Sequence, residues 1–329
     1  MADYPEIKDI ISSSQRILVI QADNPDADSL ASSLALEQIF HDMGKEPILY
    51  CGIDMPEYLK YLFGWDRVEK DVPSQFDASI IVDTSTMTLL EKLTSSGSQG
   101  WVAAKPVIVL DHHAEVQNDI PFATVVVNEP TKVSTGELLY AIAKQHEWPI
   151  NLQAASYIMT SILADSMGLA TENTSAATYR VMAELVDSGV NRPQLEEQRR
   201  SFNKMPPSIF KYKAELIERT ELHDQLAIVT VPQAEINEYS PLYNPAPLIQ
   251  NDHLLTAGVL VSIVIKQYDS GRVTGAIRCN QGAPIAAKLA EELNGGGHAY
   301  AAGFKVDKGD ASEIKQKCIE RVKTLLESK

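Results

Sequence analysis

An acid and two adjacent imidazoles, Asp111-His112-His113, follow directly on the apolar run Val107-Ile108-Val109-Leu110. A β-branched run closed by polar residues is how a buried parallel strand delivers ligands to the carboxyl edge of an α/β sheet. Neighbouring side chains at a strand end point to different sides, so one imidazole can hold a metal while the other reaches a substrate oxygen. Taken singly, a His pair in a loop is more often polar surface. The weight comes from repetition. Ile17-Leu18-Val19-Ile20 leads into Asp23, Asp26 and Asp28, and Ala78-Ser79-Ile80-Ile81-Val82 ends in Asp83-Thr84-Ser85. In an extended loop Asp26 and Asp28 can each face a different metal ion. The competing reading is a cap cluster in which Asp28 or Ser29 starts the following helix, and Asp83 by itself would also read as a cap. Asp165 sits among Ile162, Leu163, Ala164 and Met167, where an unpaired carboxylate is costly and a metal is the natural partner. Far downstream, Gly295-Gly296-Gly297-His298 lets the backbone approach a ligand closely and offers N–H groups to an anion, with a flexible loop as the plain alternative.

The elements that must position these residues follow from periodicity. Compact apolar runs predict strands at 17–20, 47–50, 78–82, 107–110 and 124–127, and helical spacing predicts helices over 29–43, from about Asn151 through the Asp165 segment, and over 176–188. Glu137, three residues after Ser134, reads as part of a capping box and not as a catalyst. The charged segment from Asn191 to Glu221, interrupted by Pro206-Pro207, reads as a helical connector. Beyond it, runs at 226–231, 258–265 and 272–278 predict a second, smaller sheet, followed by a helix over 284–293. The expected class is α/β, with a parallel-sheet domain over 1–190, a linker over 191–221 and a smaller α/β domain over 222–329.

Composition bounds the partners. The chain has 329 residues, long enough for two cores, and carries a net charge of -15. That acidity argues against tracking along long DNA or RNA, although a cleft holding divalent cations stays locally positive and favours short substrates. No apolar run reaches the length of a membrane span and the start of the chain lacks a secretory pattern, which predicts a cytosolic protein. Cys51, Cys279 and Cys318 are too scattered for a CxxC metal site and read as reduced, structural residues.

Taken together and in this order, Asp26 and Asp28, Asp83, Asp111-His112-His113, Asp165 and Gly295 to His298 resemble the DHH phosphoesterase superfamily. The glycine-rich end is similar to its oligoribonuclease and pAp-phosphatase branch. The resemblance spans about Ile17 to Lys305. It implies two divalent cations, Mn²⁺ foremost with Mg²⁺ or Co²⁺ as alternatives, a choice that mixed carboxylate and imidazole ligation suits. On the matching positions it implies Asp26 and Asp83 on the first cation, and Asp28, Asp83, His112 and Asp165 on the second. It also implies His113 on the scissile phosphate, Asp111 steadying the site from behind, and Arg278 with Gly295, Gly296, Gly297 and His298 holding the substrate's phosphate and end nucleotide. The implied activity is a metal-dependent phosphodiesterase or phosphatase acting on short RNA or DNA oligonucleotides, linear dinucleotides or pAp. A homodimer is implied by the resemblance alone.

One position departs from the family pattern. Its first motif carries a His four residues before the first aspartate, and Ala22 stands there. Three explanations stay open: Asp23 supplies the ligand, water fills the position, or the chain is a variant with weakened binding of the first metal. The last keeps a rival alive, a nucleotide-binding or sensing protein with a degenerate catalytic site.

Overall fold

The computed structural model describes residues 4–113, 119–202, 204–240 and 243–327. The chain divides into two compact units, Met1–Lys204 and Met205–Lys329.

The first unit opens with α1 (Pro5–Ser13) and then alternates strand and helix: β1 (Arg16–Ile20), α2 (Ala27–Asp42), β2 (Glu46–Tyr50), β3 (Ala78–Val82), α3 (Glu91–Ser95), α4 (Gln99–Ala103), β4 (Val107–Asp111) and β5 (Val125–Asn128). Helices α5 (Thr135–Gln145), α6 (Leu152–Asp165), α7 (Ala176–Asp187) and α8 (Arg192–Phe202) complete it. The five strands form one sheet in the order β2-β1-β3-β4-β5, every neighbouring pair parallel. Alternation along each strand sends Ile17, Val19, Ile80, Val82, Ile108 and Leu110 to a core shared with α1, α2, α5 and α6. Leu18, Ile20, Ile81, Val107 and Val109 face the other core, under α3 and α4. With both faces covered the strands are apolar throughout, which is why they stand out in the sequence. Because β1 lies between β2 and β3, the chain leaves β1 toward one side and returns on the other, placing a topological switch at the carboxyl end of β1 and β3.

The second unit contains α9 (Pro207–Glu218), β6 (Glu221–His223), β7 (Leu226–Pro232), α10 (Gln233–Tyr239), α11 (Pro245–Leu255), β8 (Val261–Gln267), β9 (Val273–Cys279), α12 (Ala286–Glu291), β10 (Gly296–His298), β11 (Ala301–Val306) and α13 (Ala311–Glu327). Its six strands run in the order β10-β11-β9-β8-β7-β6, antiparallel except for the β7–β8 pair. One sheet face packs on α9, α10 and α11, and the other on α12 and α13.

The segment 191–221 is shared between the units. Leu195 of α8 packs on the first core, while Ile209, Tyr212 and Leu216 of α9 are buried in the second unit. Charged residues on the outer faces hide this division from composition. All three cysteines are buried and none forms a disulfide. Among the described residues, no helix is long and apolar enough to cross a membrane.

Candidate metal centre

The acids at the switch come from three strand ends and the last helical residue of α6. Asp26 is the N-cap of α2: it accepts from the Ser29 amide at 3.0 Å, and the Ser29 hydroxyl accepts from the Asp26 amide at 3.0 Å. Capping therefore falls to Asp26, leaving Asp28 free of that duty and turned inward. Asp28 is fully buried and accepts from the Thr135 amide at 2.7 Å, the Ser32 hydroxyl at 3.0 Å and the Ser161 hydroxyl at 2.5 Å. Asp83 follows β3 with φ 61°, a left-handed conformation that aspartate tolerates better than most residues, and accepts from Thr135 Oγ1 at 3.0 Å. Asp111 ends β4 fully buried, accepting from Ser85 Oγ at 2.5 Å and from the His112 amide at 2.8 Å. Its Oδ1 also lies 2.7 Å from His113 Nδ1.

His112 is the centre of the arrangement. Its Nε2 lies 3.1 Å from Asp165 Oδ2, 3.4 Å from Asp28 Oδ2 and 3.5 Å from Asp83 Oδ1, yet it is buried and aligned as a hydrogen-bond donor to no described residue. Asp28, His112 and Asp165 offer ligand atoms within 4.8 Å of one another, and so do Asp83, His112 and His113. Sequence-predicted ligands from β1–α2, β3, β4 and α6 are thereby brought together. An imidazole nitrogen left without a hydrogen bond in the midst of carboxylates is a donor set that fits a divalent cation.

The electrostatics agree. Burial, reinforced by the charge of Asp28, pushes Asp83 well above the usual carboxylate range. Burial also raises Asp165, with Asp28 and Asp26 adding to it against the opposing influence of the nearby His112 ring. Burial works against a charged His112, but Asp165, Asp83 and Asp28 outweigh it and lift the ring to about 11. His113 is raised chiefly by its hydrogen bond to Asp111. Burial opposes ionisation of Asp111, yet the hydrogen bonds of His113 and Ser85 prevail and hold it below its ordinary value. The raised carboxylates reflect acidic groups crowded together away from solvent, a crowding that a divalent cation would relieve.

Several supporting residues are absent from the sequence reading. Ser161 touches Asp28 and Ser134 Oγ, and Gly136 is closed in so tightly that a Cβ there would stand 2.1 Å from Ser161 Oγ. The available signal was Ser161 standing four residues before Asp165, one turn away on the same helical face. Glu137 accepts from the Val133 amide and Thr178 Oγ1, stitching α5 to α7.

Asp23 does not join the cluster. Its Oδ2 accepts from the Lys92 amide at 2.8 Å, and its Oδ1 is the side-chain atom that a Cβ on Gly52 would meet at 2.8 Å. Of the two geometries open to it, the carboxylate takes the one facing β2 and α3. Ala22 is buried, and its carbonyl accepts from Cys51 Sγ at 3.3 Å.

In the second unit the glycine-rich stretch is paired, not looped. Gly296 to His298 form β10, and Gly295 gives its amide to the Ala290 carbonyl at 2.8 Å. A Cβ on Gly295 would lie 2.1 Å from the Gly303 carbonyl oxygen, and one on Gly297 2.6 Å from the Ala301 carbonyl oxygen. Two of the three glycines are therefore required by packing against β11; only Gly296 faces open space. His298 pairs with Ala301, and Ala301 with Arg278, which puts Arg278 and His298 on the same face of the sheet with a methyl group between them.

Residues 16–171 match the family model described as the DHH family, N-terminal domain, and residues 249–327 match the DHHA1 domain. The chain is 27% identical to the bifunctional oligoribonuclease and PAP phosphatase of Thermus thermophilus, covering 91% of this chain and 87% of that protein. It is 21% identical to the Bacillus subtilis protein of the same description, covering 92% and 93%. With the cyclic-di-AMP phosphodiesterase of Geobacillus thermodenitrificans it shares 23% identity over 96% of this chain and 48% of that protein. Among solved structures, an exopolyphosphatase-related protein from Bacteroides fragilis superposes with a TM-score of 0.84 at 19% identity, covering 98% of this chain and 97% of that one, a likeness of fold.

Proposed function

The chain belongs to the DHH family of phosphoesterases, and from that premise we propose that it hydrolyses short oligonucleotides, linear dinucleotides or pAp with two divalent cations, Mn²⁺ foremost. The observation that carries this reading is the buried Nε2 of His112, held among Asp28, Asp83 and Asp165 with no hydrogen-bond partner among the described residues.

Asp28, Asp83, His112 and Asp165 would hold one cation, and Asp26 with Asp83 the other. When bound, the cations supply Lewis acidity and lower the pKa of water. The protein's own groups orient and neutralise. His113 keeps Nδ1 on Asp111, so its Nε2 remains to donate to a phosphoryl oxygen of the substrate. Asp111 fixes that ring from behind and is itself fixed by Ser85. Arg278 and His298, sharing a sheet face, suit the substrate's phosphate and end nucleotide. Oligoribonuclease and PAP phosphatase activities are named for the relatives, and the chain's acidity supports short over long strands.

Ala22 supports a second reading, a nucleotide binder without turnover. Hydrolysis of a 5′-phosphorylated RNA dinucleotide and of pAp with Mn²⁺, followed by mass spectrometry, separates the two. The Ala22→His variant is run alongside. Mononucleotide release by the unmodified chain is the expected result. Release by the variant alone supports the binder, and release by neither from either substrate defeats the substrate assignment.

A further inference from the structure

Beside the metal ligands, within the first unit, lies a cavity of about 690 Å³. That is the size of a site for one nucleotide or a similar small molecule. Ala27 borders it next to Asp26, and Ala164 and Met167 border it on either side of Asp165. An occupant would therefore sit against the candidate centre.

The walls are of two kinds. Leu163, Leu195 and the ring of Tyr58 offer apolar surface, and Tyr58 is held in place by donating its hydroxyl hydrogen to the Pro25 carbonyl at 3.0 Å. Helix α8, which also carries Leu195, presents Arg192, Arg199 and Arg200. Arg199 and Arg200 both pair with Glu196, at 2.9 and 2.6 Å. Arg192 makes no ion pair and no side-chain hydrogen bond among the described residues. In a chain of net charge -15, a cavity whose described lining holds three arginines and one glutamate stands out.

We propose that this cavity is a mononucleotide subsite in which base and ribose pack on Leu163, Leu195 and Tyr58 and a terminal phosphate is held by Arg192. Planar rings suit an apolar wall with one aromatic face, and a guanidinium binds phosphate in bidentate fashion. The subsite accepts the phosphorylated end of a short substrate. Its link to turnover rests on the phosphoesterase reading; its binding of a nucleotide does not.

The test is calorimetric titration of the full chain, with Mn²⁺ present, with AMP and with adenosine. Wild type is expected to bind AMP roughly tenfold more tightly than adenosine. Arg192→Ala, at an exposed position early in α8, should bring AMP down to the affinity of adenosine, and Arg192→Lys should recover part of the difference. Met167→Trp, which narrows the cavity, should weaken both ligands. Equal binding of AMP by wild type and Arg192→Ala, or no preference for AMP in wild type, overturns the subsite. Dinucleotide hydrolysis by the same proteins reads the other question. Arg192-dependent AMP binding without turnover keeps the subsite and defeats the phosphoesterase substrate, whereas turnover without it does the reverse.

Discussion

Ser161 on α6 donates its hydroxyl hydrogen to Asp28 on α2 across 2.5 Å, tying the two helices together at the carboxylate that faces His112. The same hydroxyl lies 2.9 Å from Ser134 Oγ and accepts from the Gly136 amide at 3.0 Å. Residues that orient a metal-binding carboxylate typically change affinity by about 10- to 100-fold when removed. Ser161→Ala is accordingly expected to weaken Mn²⁺ binding roughly tenfold, read from the free-ion signal in electron paramagnetic resonance. Unchanged affinity would mean that the Thr135 and Gly136 amides and the Ser32 hydroxyl suffice to position Asp28.

Asp83→Asn keeps a side chain that tolerates the left-handed backbone at this position while removing the charge. Turnover of a short oligonucleotide is expected to fall at least about a hundredfold, together with cation occupancy. Full activity at full occupancy would sink the two-metal assignment.

Gly295 and Gly296 are neighbours with opposite surroundings. Gly295→Ala drives a methyl group into the backbone of β11 and is expected to destabilise the second unit by about 2 kcal/mol or more. Gly296→Ala meets nothing within 4 Å and should leave the urea midpoint unchanged. Any loss of substrate affinity in Gly296→Ala then reports on the ligand, since packing is untouched.

His253, in the second unit, gives a pH dependence of its own. It is buried between Thr220 Oγ1, at 2.9 Å, and Ser262 Oγ, at 2.8 Å, and burial pulls its pKa below the ordinary 6.5. Between the lowered folded value and 6.5 the unfolded chain binds more protons, so stability is complete above 6.5 and declines as the pH falls below it. The slope is at most about 1.4 kcal/mol per pH unit. Urea midpoints at pH 7.5 and 5.5 should differ for wild type by more than for His253→Gln; equal differences would locate the pH response elsewhere.

Much of this was legible in the chain. The parallel strands announced themselves because burial on both faces leaves uninterrupted apolar runs, and their acidic ends then marked the site. Asp28, Asp83, His112 and Asp165, singled out by residue type and placement, do lie together in the structure. The partition of Asp23, Asp26 and Asp28 was not, because three acids within six residues look alike until helix α2 assigns the cap to Asp26 and Lys92 claims Asp23. Ser161, Thr135 and Gly136 escaped because they approach Asp28 from more than a hundred residues away in the sequence. In the second unit β10 and β11 were missed, since glycine and alanine carry almost no β signal and owe their pairing to close backbone approach. Likewise β8 begins at Val261, because Gly258, at φ 84°, belongs to the preceding turn.

The winding of the first sheet has a consequence for how this chemistry tolerates change. The segments after β1 and β3 part because the chain reverses its direction of travel there, so the opening is a property of backbone path and no side chain is spent in propping it apart. A donor can then be absent near a strand end without the crevice closing, and the buried Ala22 stands just after β1. The architecture separates having a place for chemistry from having the full set of groups to perform it, and lets a lineage lose or regain one while keeping the other.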